Sequence, residues 1–156
     1  MLDAVMRAGQ RDDVPALVAL MAEFHDEAGF RLRRGAAAEA LVTLIDNPRL
    51  GAVWLVERDG APAGYLVLTL GFSMECGGVR GFVDDFYVRP SARGGGVGAA
   101  MLATVADACK GLGVRALAVA VGPHPDRARR LYGRAGFTDS GRILMSLAFA
   151  APIHDP

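Results

Sequence analysis

The chain has 156 residues, 52% of them hydrophobic, which is ample material for one core and sets the expectation of a single domain over 1–156 without a linker. Lys+Arg and Asp+Glu each number 17, so the formal net charge is zero and no global field draws the chain onto nucleic acid or an anionic membrane. The apolar runs break at Gly, Arg or Asp before the roughly 18–20 residues a membrane span needs, and the N-terminus shows no basic stretch followed by an apolar one; a cytoplasmic protein is expected.

In chain order, Asp3 to Ala8 reads as a short strand. Asp12 and Asp13 then offer caps for a helix with Pro15 in its first turn. Leu17, Leu20, Met21, Phe24 and Ala28 recur at helical spacing on that helix, and Gly29 suits a left-handed stop. A second helix is expected from about Ala36 to Ile45, with Ala37, Leu41, Leu44 and Ile45 as its apolar face, ended by Asp46-Asn47-Pro48. Ala52 to Glu57, a turn at Arg58-Asp59-Gly60 and Ala63 to Phe72 read as a hairpin, because Asp-Gly readily takes positive φ. After a turn at Cys76-Gly77-Gly78, Arg80 to Val88 forms another strand, and a glycine-rich stretch leads into a helix reaching about Lys110. Val114 to Val121 is an almost unbroken apolar run, as for a strand buried on both faces. A helix from Asp126 to about Ala135 follows, then closing strands at Phe137 to Thr138 and Ile143 to Ala150. This order is an α+β chain with one strand-turn-helix-strand crossover. Cys76 and Cys109 stand far apart in no metal-like spacing and are expected to be reduced thiols, so neither a disulfide framework nor a metal site is anticipated.

The glycine-rich stretch is the most informative feature. Gly94, Gly95, Gly96 and Gly98 open a helix that continues through Val97 and Ala99, so several backbone N–H groups stand free and unshielded. The helix dipole and the charge of Arg93 add to them, making a phosphate or pyrophosphate the natural guest. A plain surface turn before a helix accounts equally for a cluster of this kind. Gly94-x-Gly96-x-x-Ala99 also meets the relaxed dinucleotide fingerprint. That fingerprint, however, belongs after the first strand of a βαβ unit and is answered by an acid about 20 residues on, whereas this turn lies mid-chain and the next strand ends in Gly122-Pro123. No Gly-Lys-Ser/Thr follows, which excludes a nucleotide P-loop.

Arg93-x-x-Gly96-x-Gly98 resembles the Arg/Gln-x-x-Gly-x-Gly/Ala pyrophosphate loop of the GNAT acetyltransferases. Upstream, Val83-Asp84-Asp85-Phe86-Tyr87-Val88-Arg89-Pro90 is similar to that family's acid-bearing strand and its entry to the loop. Downstream, Ala128-x-x-x-Tyr132-x-x-x-Gly136-Phe137 resembles its second motif, Asn-x-x-Ala-x-x-x-Tyr-x-x-x-Gly-Phe. The likeness covers about Arg11 to Phe149, and two motifs at the usual separation are far more specific than one. It is closest in pattern to members acting on small amines of the diamine or polyamine kind. One position departs: the motif Asn is Pro125 here, between His124 and Asp126, and Asp126 is expected to cap the helix instead.

The resemblance implies a mixed, mainly antiparallel central sheet of six to seven strands flanked by about four helices, with acetyl-CoA as cosubstrate. It implies that Arg93, Gly94, Gly95, Gly96, Val97, Gly98 and Ala99 hold the pyrophosphate. Phe86, Tyr87 and Val88 would make sheet-like contacts to pantetheine, with Asp126, Arg129 and Tyr132 contributing from the second motif. Transfer to an amine needs a proton acceptor, an oxyanion donor and a proton for the departing thiolate. Asp84, nine residues before Arg93, is the leading base, with Asp85 and Glu75 in reserve; in a regular strand Asp84 and Asp85 face opposite sides unless a bulge intervenes. The Val88 N–H is the expected oxyanion donor and Tyr132 the expected acid. His25 and His124 read as structural or exposed, and His154 as part of a frayed tail.

The acceptor is expected at the first two helices and the Phe72 to Gly78 turn, with Glu75 and Asp85 meeting a small cationic amine or a peptide N-terminus. A homodimer through the C-terminal strands is expected by analogy. A non-catalytic acyl-CoA-binding module and a dinucleotide-dependent oxidoreductase are the competing classes.

Overall fold

The computed structural model describes residues 3–122 and 126–156. Strand β1 (Ala4–Ala8) leads through a single tight helical turn, Arg11–Asp13, to helix α1 (Val14–Glu27). Asp13 does not cap α1. Its carboxylate accepts the Gln10 N–H at 2.7 Å and the Arg7 guanidinium at 2.8 Å, tying β1 to the helix entry. Gly29, at φ 83°, stops the helix as its left-handed geometry requires. A two-residue strand β2 (Arg31–Leu32) precedes α2 (Arg34–Asp46), and β3 (Gly51–Arg58) and β4 (Ala61–Ser73) form the anticipated hairpin. Asp59 and Gly60 both hold positive φ, 52° and 75°, the geometry that matches the twist of the flanking strands.

Strand β5 (Gly78–Val88) pairs antiparallel with β4, and α3 (Val97–Gly111) crosses to β6 (Ala116–Val119), which pairs parallel with β5. Helix α4 (Asp126–Arg134) and a last short strand β7 (His154–Asp155) complete the chain. The order β1-β3-β4-β5-β6 makes one five-stranded sheet, and β2 with β7 makes a separate pair. Helices α1 and α2 cover one face through Leu17, Leu20, Met21, Ala37 and Leu41; α3 and α4 cover the other through Val97, Met101, Leu102, Val105 and Tyr132. No helix among the described residues is long and apolar enough to cross a membrane.

Three expectations need correction. The central sheet has five strands rather than six or seven, because Phe137 to Thr138 and Ile143 to Ala150 form no strand and the latter stretch is exposed throughout. The Val114 to Val121 run yields only a four-residue strand, half-buried at every position, since β6 is the edge of its sheet. His154 is not in a frayed tail: it pairs with Leu32 in β2, and its ring lies 4.5 Å from that of Phe30 and 5.4 Å from that of His25. Cys109 is buried, Cys76 partly so, and both are free thiols.

Candidate active site

The site begins with a break in the β4–β5 ladder. Val67 faces Asp85 and Leu68 faces Val83, so Asp84 is an extra residue without a partner, the signature of a β-bulge. The bulge reverses the alternation of side chains. Val83, Phe86 and Val88 all turn toward α3 and α4, while Asp85 and Tyr87 turn toward α1. Pairing between β5 and β6 ends at Val83 and Val119, so the two strands part where the bulge lies.

Beyond this fork one edge of β5 has no partner strand among the described residues. The Arg89 N–H donates to the Ala63 carbonyl at 2.8 Å, and alternation along an antiparallel ladder therefore directs the N–H of Val88 away from β4, into the gap left by β6. The Val88 carbonyl shares that side and accepts Arg93 Nε at 2.7 Å.

The bulge places two adjacent carboxylates in unlike surroundings. Asp84 is exposed. Asp85 is held against α1, where burial, assisted by the neighbouring Asp84 charge, raises its carboxyl to about 6, although the hydrogen bond from Tyr65 and the proximity of His25 oppose the shift. The Tyr65 hydroxyl donates to Asp85 Oδ2 at 3.1 Å, and its own ionisation is pushed far above the ordinary phenol range by burial. His25 is buried with Nδ1 2.8 Å from the Met21 carbonyl. Sequence reasoning missed Tyr65, although a tyrosine within the apolar run Gly64 to Leu68 signals a buried hydroxyl that needs an acceptor.

The glycine turn follows β5. Gly94 and Gly96 hold φ 87° and 80°, values that disfavour residues with a Cβ. Among the described residues no acceptor takes the amides of Gly94 through Ala99, and the first α3 bond is from the Ala100 N–H to the Gly96 carbonyl. A Cβ built on Gly94, Gly95 or Gly96 meets nothing within 4 Å, so nothing packs against the side-chain face of the turn at these positions. Val97 is buried and offers only its backbone, while Ala99 is exposed. Gly98 has a different role: a Cβ there lies 3.3 Å from Leu131 and 3.4 Å from Phe86, so its smallness lets α3, α4 and β5 close on one another.

Tyr132 sits beside this junction, its ring 6.3 Å from that of Phe86 and 5.4 Å from that of Phe137. Burial pushes its hydroxyl up to about 12. Asp126 is exposed in the first turn of α4, and Arg129 lies 3.8 Å from Asp139. Pro125 and His124 lie outside the described residues.

Several expected ligands are placed otherwise. The Arg93 guanidinium is held by Glu27 at 2.8 and 3.0 Å and stacks 5.6 Å above Tyr87, which directs it toward α1 instead of over the glycine turn. The Tyr87 side chain likewise belongs to the α1 face, its hydroxyl donating to Glu27 at 3.2 Å, so only its backbone borders the fork. Glu75 is in the β4–β5 turn, ion-paired with Arg142. Since Ser73 pairs with Gly78 and Val67 with Asp85, the turn lies ~20 Å along the sheet from Asp85, and Glu75 does not share a cleft with it. A groove of about 590 Å³ bounded by Asp26, Arg31, Arg33, Arg34 and Asp155 contains none of these residues.

A five-stranded sheet forked beside a bulge, with an uncapped glycine-rich helix start at the fork, defines an α+β domain built to take an extended anionic ligand. The acetyltransferase (GNAT) family model matches residues 16–137, and the chain belongs to that family. An integron cassette protein, HFX_CASS3, from the mobile metagenome of Cole Harbour Salt Marsh is 53% identical, with 95% of this chain and 92% of that one covered at a TM-score of 0.87. A predicted acetyltransferase of Clostridium acetobutylicum crystallised with acetyl-CoA shares the fold at 16% identity and a TM-score of 0.79, covering 92% and 96%. The aminoglycoside N-acetyltransferase AAC(6')-Iy, in complex with the bisubstrate analogue CoA-S-monomethyl-acetylneamine, does so at 18% identity and 0.76, covering 94% and 99%. No curated protein matches the chain significantly.

Proposed function

We propose that this chain transfers the acetyl group of acetyl-CoA to a primary amine, of a small molecule or a peptide N-terminus, by direct attack in a ternary complex. The observation that carries the reading is Asp85: a half-buried carboxyl, hydrogen-bonded by Tyr65 at the strand fork and raised to about 6. Such a group is ionised at neutral pH yet far more basic than an exposed carboxylate. Asp85 therefore replaces Asp84 as the leading base. It takes a proton from the incoming ammonium, directly or through water, and frees the lone pair that attacks the thioester carbonyl.

The open amides of Gly94 to Ala99 fit a pyrophosphate, and the space a side chain would fill is free for its oxygens. The unpaired edge of Phe86 to Val88 suits the amide groups of pantetheine. The Val88 N–H faces the fork and stabilises the oxyanion as it forms. Tyr132 donates its phenolic proton to the leaving thiolate; its raised pKa keeps that proton in place at neutral pH.

Thiol release from acetyl-CoA, followed across a panel of primary amines, tests the reading. Acetylation of at least one amine is expected. Coenzyme A binding with no amine acetylated would reassign the chain as a non-catalytic acyl-CoA-binding module, and tight NAD binding in preference to acetyl-CoA would make it an oxidoreductase.

A further inference from the structure

Tyr65 lies wholly inside the α1–α2 core, 0% exposed, with its ring 6.4 Å from that of Tyr87. A phenylalanine would fill the same space, and a buried hydroxyl is costly unless it finds an acceptor. The acceptor it finds is Asp85 Oδ2, at 3.1 Å. This contact depends on the bulge. Tyr65 pairs with Tyr87 and Val67 with Asp85, so Asp85 is the diagonal neighbour of Tyr65 on one face of the ladder, a separation that an aromatic side chain can span. Without the extra residue at Asp84, the alternation continuing from Val83 would turn Asp85 to the α3 face, out of the hydroxyl's reach.

Among the described residues three titratable groups act on Asp85: Tyr65 from β4, Asp84 from its own strand and His25 from α1. Asp84 can only repel the carboxylate. His25 commits Nδ1 to the Met21 carbonyl, 2.8 Å away within its own helix, and makes no hydrogen bond to Asp85 among the described residues. Tyr65 is thus the group that holds the carboxylate by a directed bond. Its ring is packed on all sides and cannot turn away. Burial also keeps its phenolic proton far above the ordinary range, so Tyr65 stays a donor and does not compete as a base.

We propose that Tyr65 is a positioning residue for acetyl transfer: its hydrogen bond to Oδ2 sets the plane of the Asp85 carboxylate and leaves Oδ1 as the oxygen that receives the acceptor's proton. In that step one N–H bond of the ammonium breaks and one O–H bond forms at Oδ1. Both charges are neutralised, and the nitrogen keeps the electron pair that attacks the thioester. Tyr65 touches neither amine nor thioester and acts through Asp85, so the role requires Asp85 to be the base proposed above. A hydrogen bond donated to the ionised form favours that form, and its loss makes the carboxylate more basic.

Tyr65→Phe keeps the ring and removes the donor. The titration midpoint of Asp85, followed by NMR of carboxyl-labelled aspartate and assigned with Asp85→Asn, should rise from about 6 by about one pH unit or more, the effect of losing a hydrogen bond to a charged group. The rising limb of kcat/KM should move with it. On the plateau kcat should fall about 10-fold through lost orientation, with the KM for acetyl-CoA changed by less than about 2-fold. A ring-fluorinated tyrosine at position 65, a stronger donor in nearly the same space, should lower the midpoint instead, a reversal that a purely structural role would not give. An unmoved midpoint in folded Tyr65→Phe overturns the positioning role, and so does a moved midpoint with an unchanged plateau. A midpoint that moves by NMR while the limb of kcat/KM stays in place overturns Asp85 as the base, and the role of Tyr65 falls with it.

Discussion

The two faces of β5 divide the chemistry between them. Toward α1, polar groups are interlocked: Glu23 holds Arg89 at 2.7 Å, Glu27 holds Arg93 and Tyr87, and Tyr65 holds Asp85. Toward α3 and α4 the strand offers apolar side chains, and next to them stands a turn of unclaimed amides. A closed, desolvated face can tune a carboxylate, whereas an open one can lend N–H groups to an anion without first breaking a bond. The bulge at Asp84 lets both faces meet at one fork.

The division is broken most severely by removing its tuned acid. Asp85→Asn is expected to lower kcat by 100-fold to 10,000-fold, the range of about 10²–10⁴ that a positioned base supplies, while Asp84→Asn changes it by less than about 3-fold because an exposed side chain is replaced at low cost. The reverse ranking in steady-state kinetics would return the role to Asp84. For the wild type, kcat/KM should rise with pH through about 6, as Asp85 loses its proton, and then level off. Tyr132→Phe is the next largest effect: turnover should fall about 10-fold to 100-fold with the melting temperature nearly unchanged, and full turnover in the variant would remove the acid role.

Gly96→Val probes the open face. A β-branched residue at φ 80° is strained by about 1–2 kcal/mol and stands in front of the amides, so coenzyme A affinity measured by calorimetry should weaken by about 10-fold while amine binding is untouched. Stability reports the closed face. Because Asp85 binds its proton more tightly folded than unfolded, stability falls as pH rises from about 4 through about 6. Asp85→Asn, which keeps an acceptor for Tyr65, should therefore be more stable than wild type at pH 8, by on the order of 2 kcal/mol, with the gap closing below pH 4. A variant less stable than wild type at pH 8 would show that the carboxylate is not held at a cost.

Features written in local chemistry were legible in the sequence. Asp59-Gly60 announced the hairpin, the spacing of Leu17, Leu20 and Met21 announced the buried stripe of α1, and the glycines after Arg93 announced open amides. Features depending on distant neighbours were not. Asp85 is raised because a bulge turns it toward α1, where it meets Tyr65, twenty positions earlier in the chain. Arg93 looked free because Glu27, its partner, is 66 positions away. The closing strands expected at Phe137 to Thr138 and Ile143 to Ala150 do not form, because an apolar run reports only that a face suits burial and not whether a partner strand lies beside it.

The smallest effect decides what Arg93 does. Its guanidinium, with the side chain 27% exposed, bridges Glu27 on α1 and the Val88 carbonyl at the end of β5. If it serves as a brace, Glu27→Gln and Arg93→Ala should each lower stability by less than about 1 kcal/mol, as partly exposed ion pairs do. Coenzyme A affinity should then move by less than about 3-fold in both. Arg93 would count as a phosphate ligand only if Arg93→Ala weakened coenzyme A by about 10-fold while Glu27→Gln did not, the loss typical of one charge-assisted contact. That pair of calorimetric titrations, read against urea melts of the same proteins, separates a residue that holds the fork in shape from one that leaves it to grip the ligand.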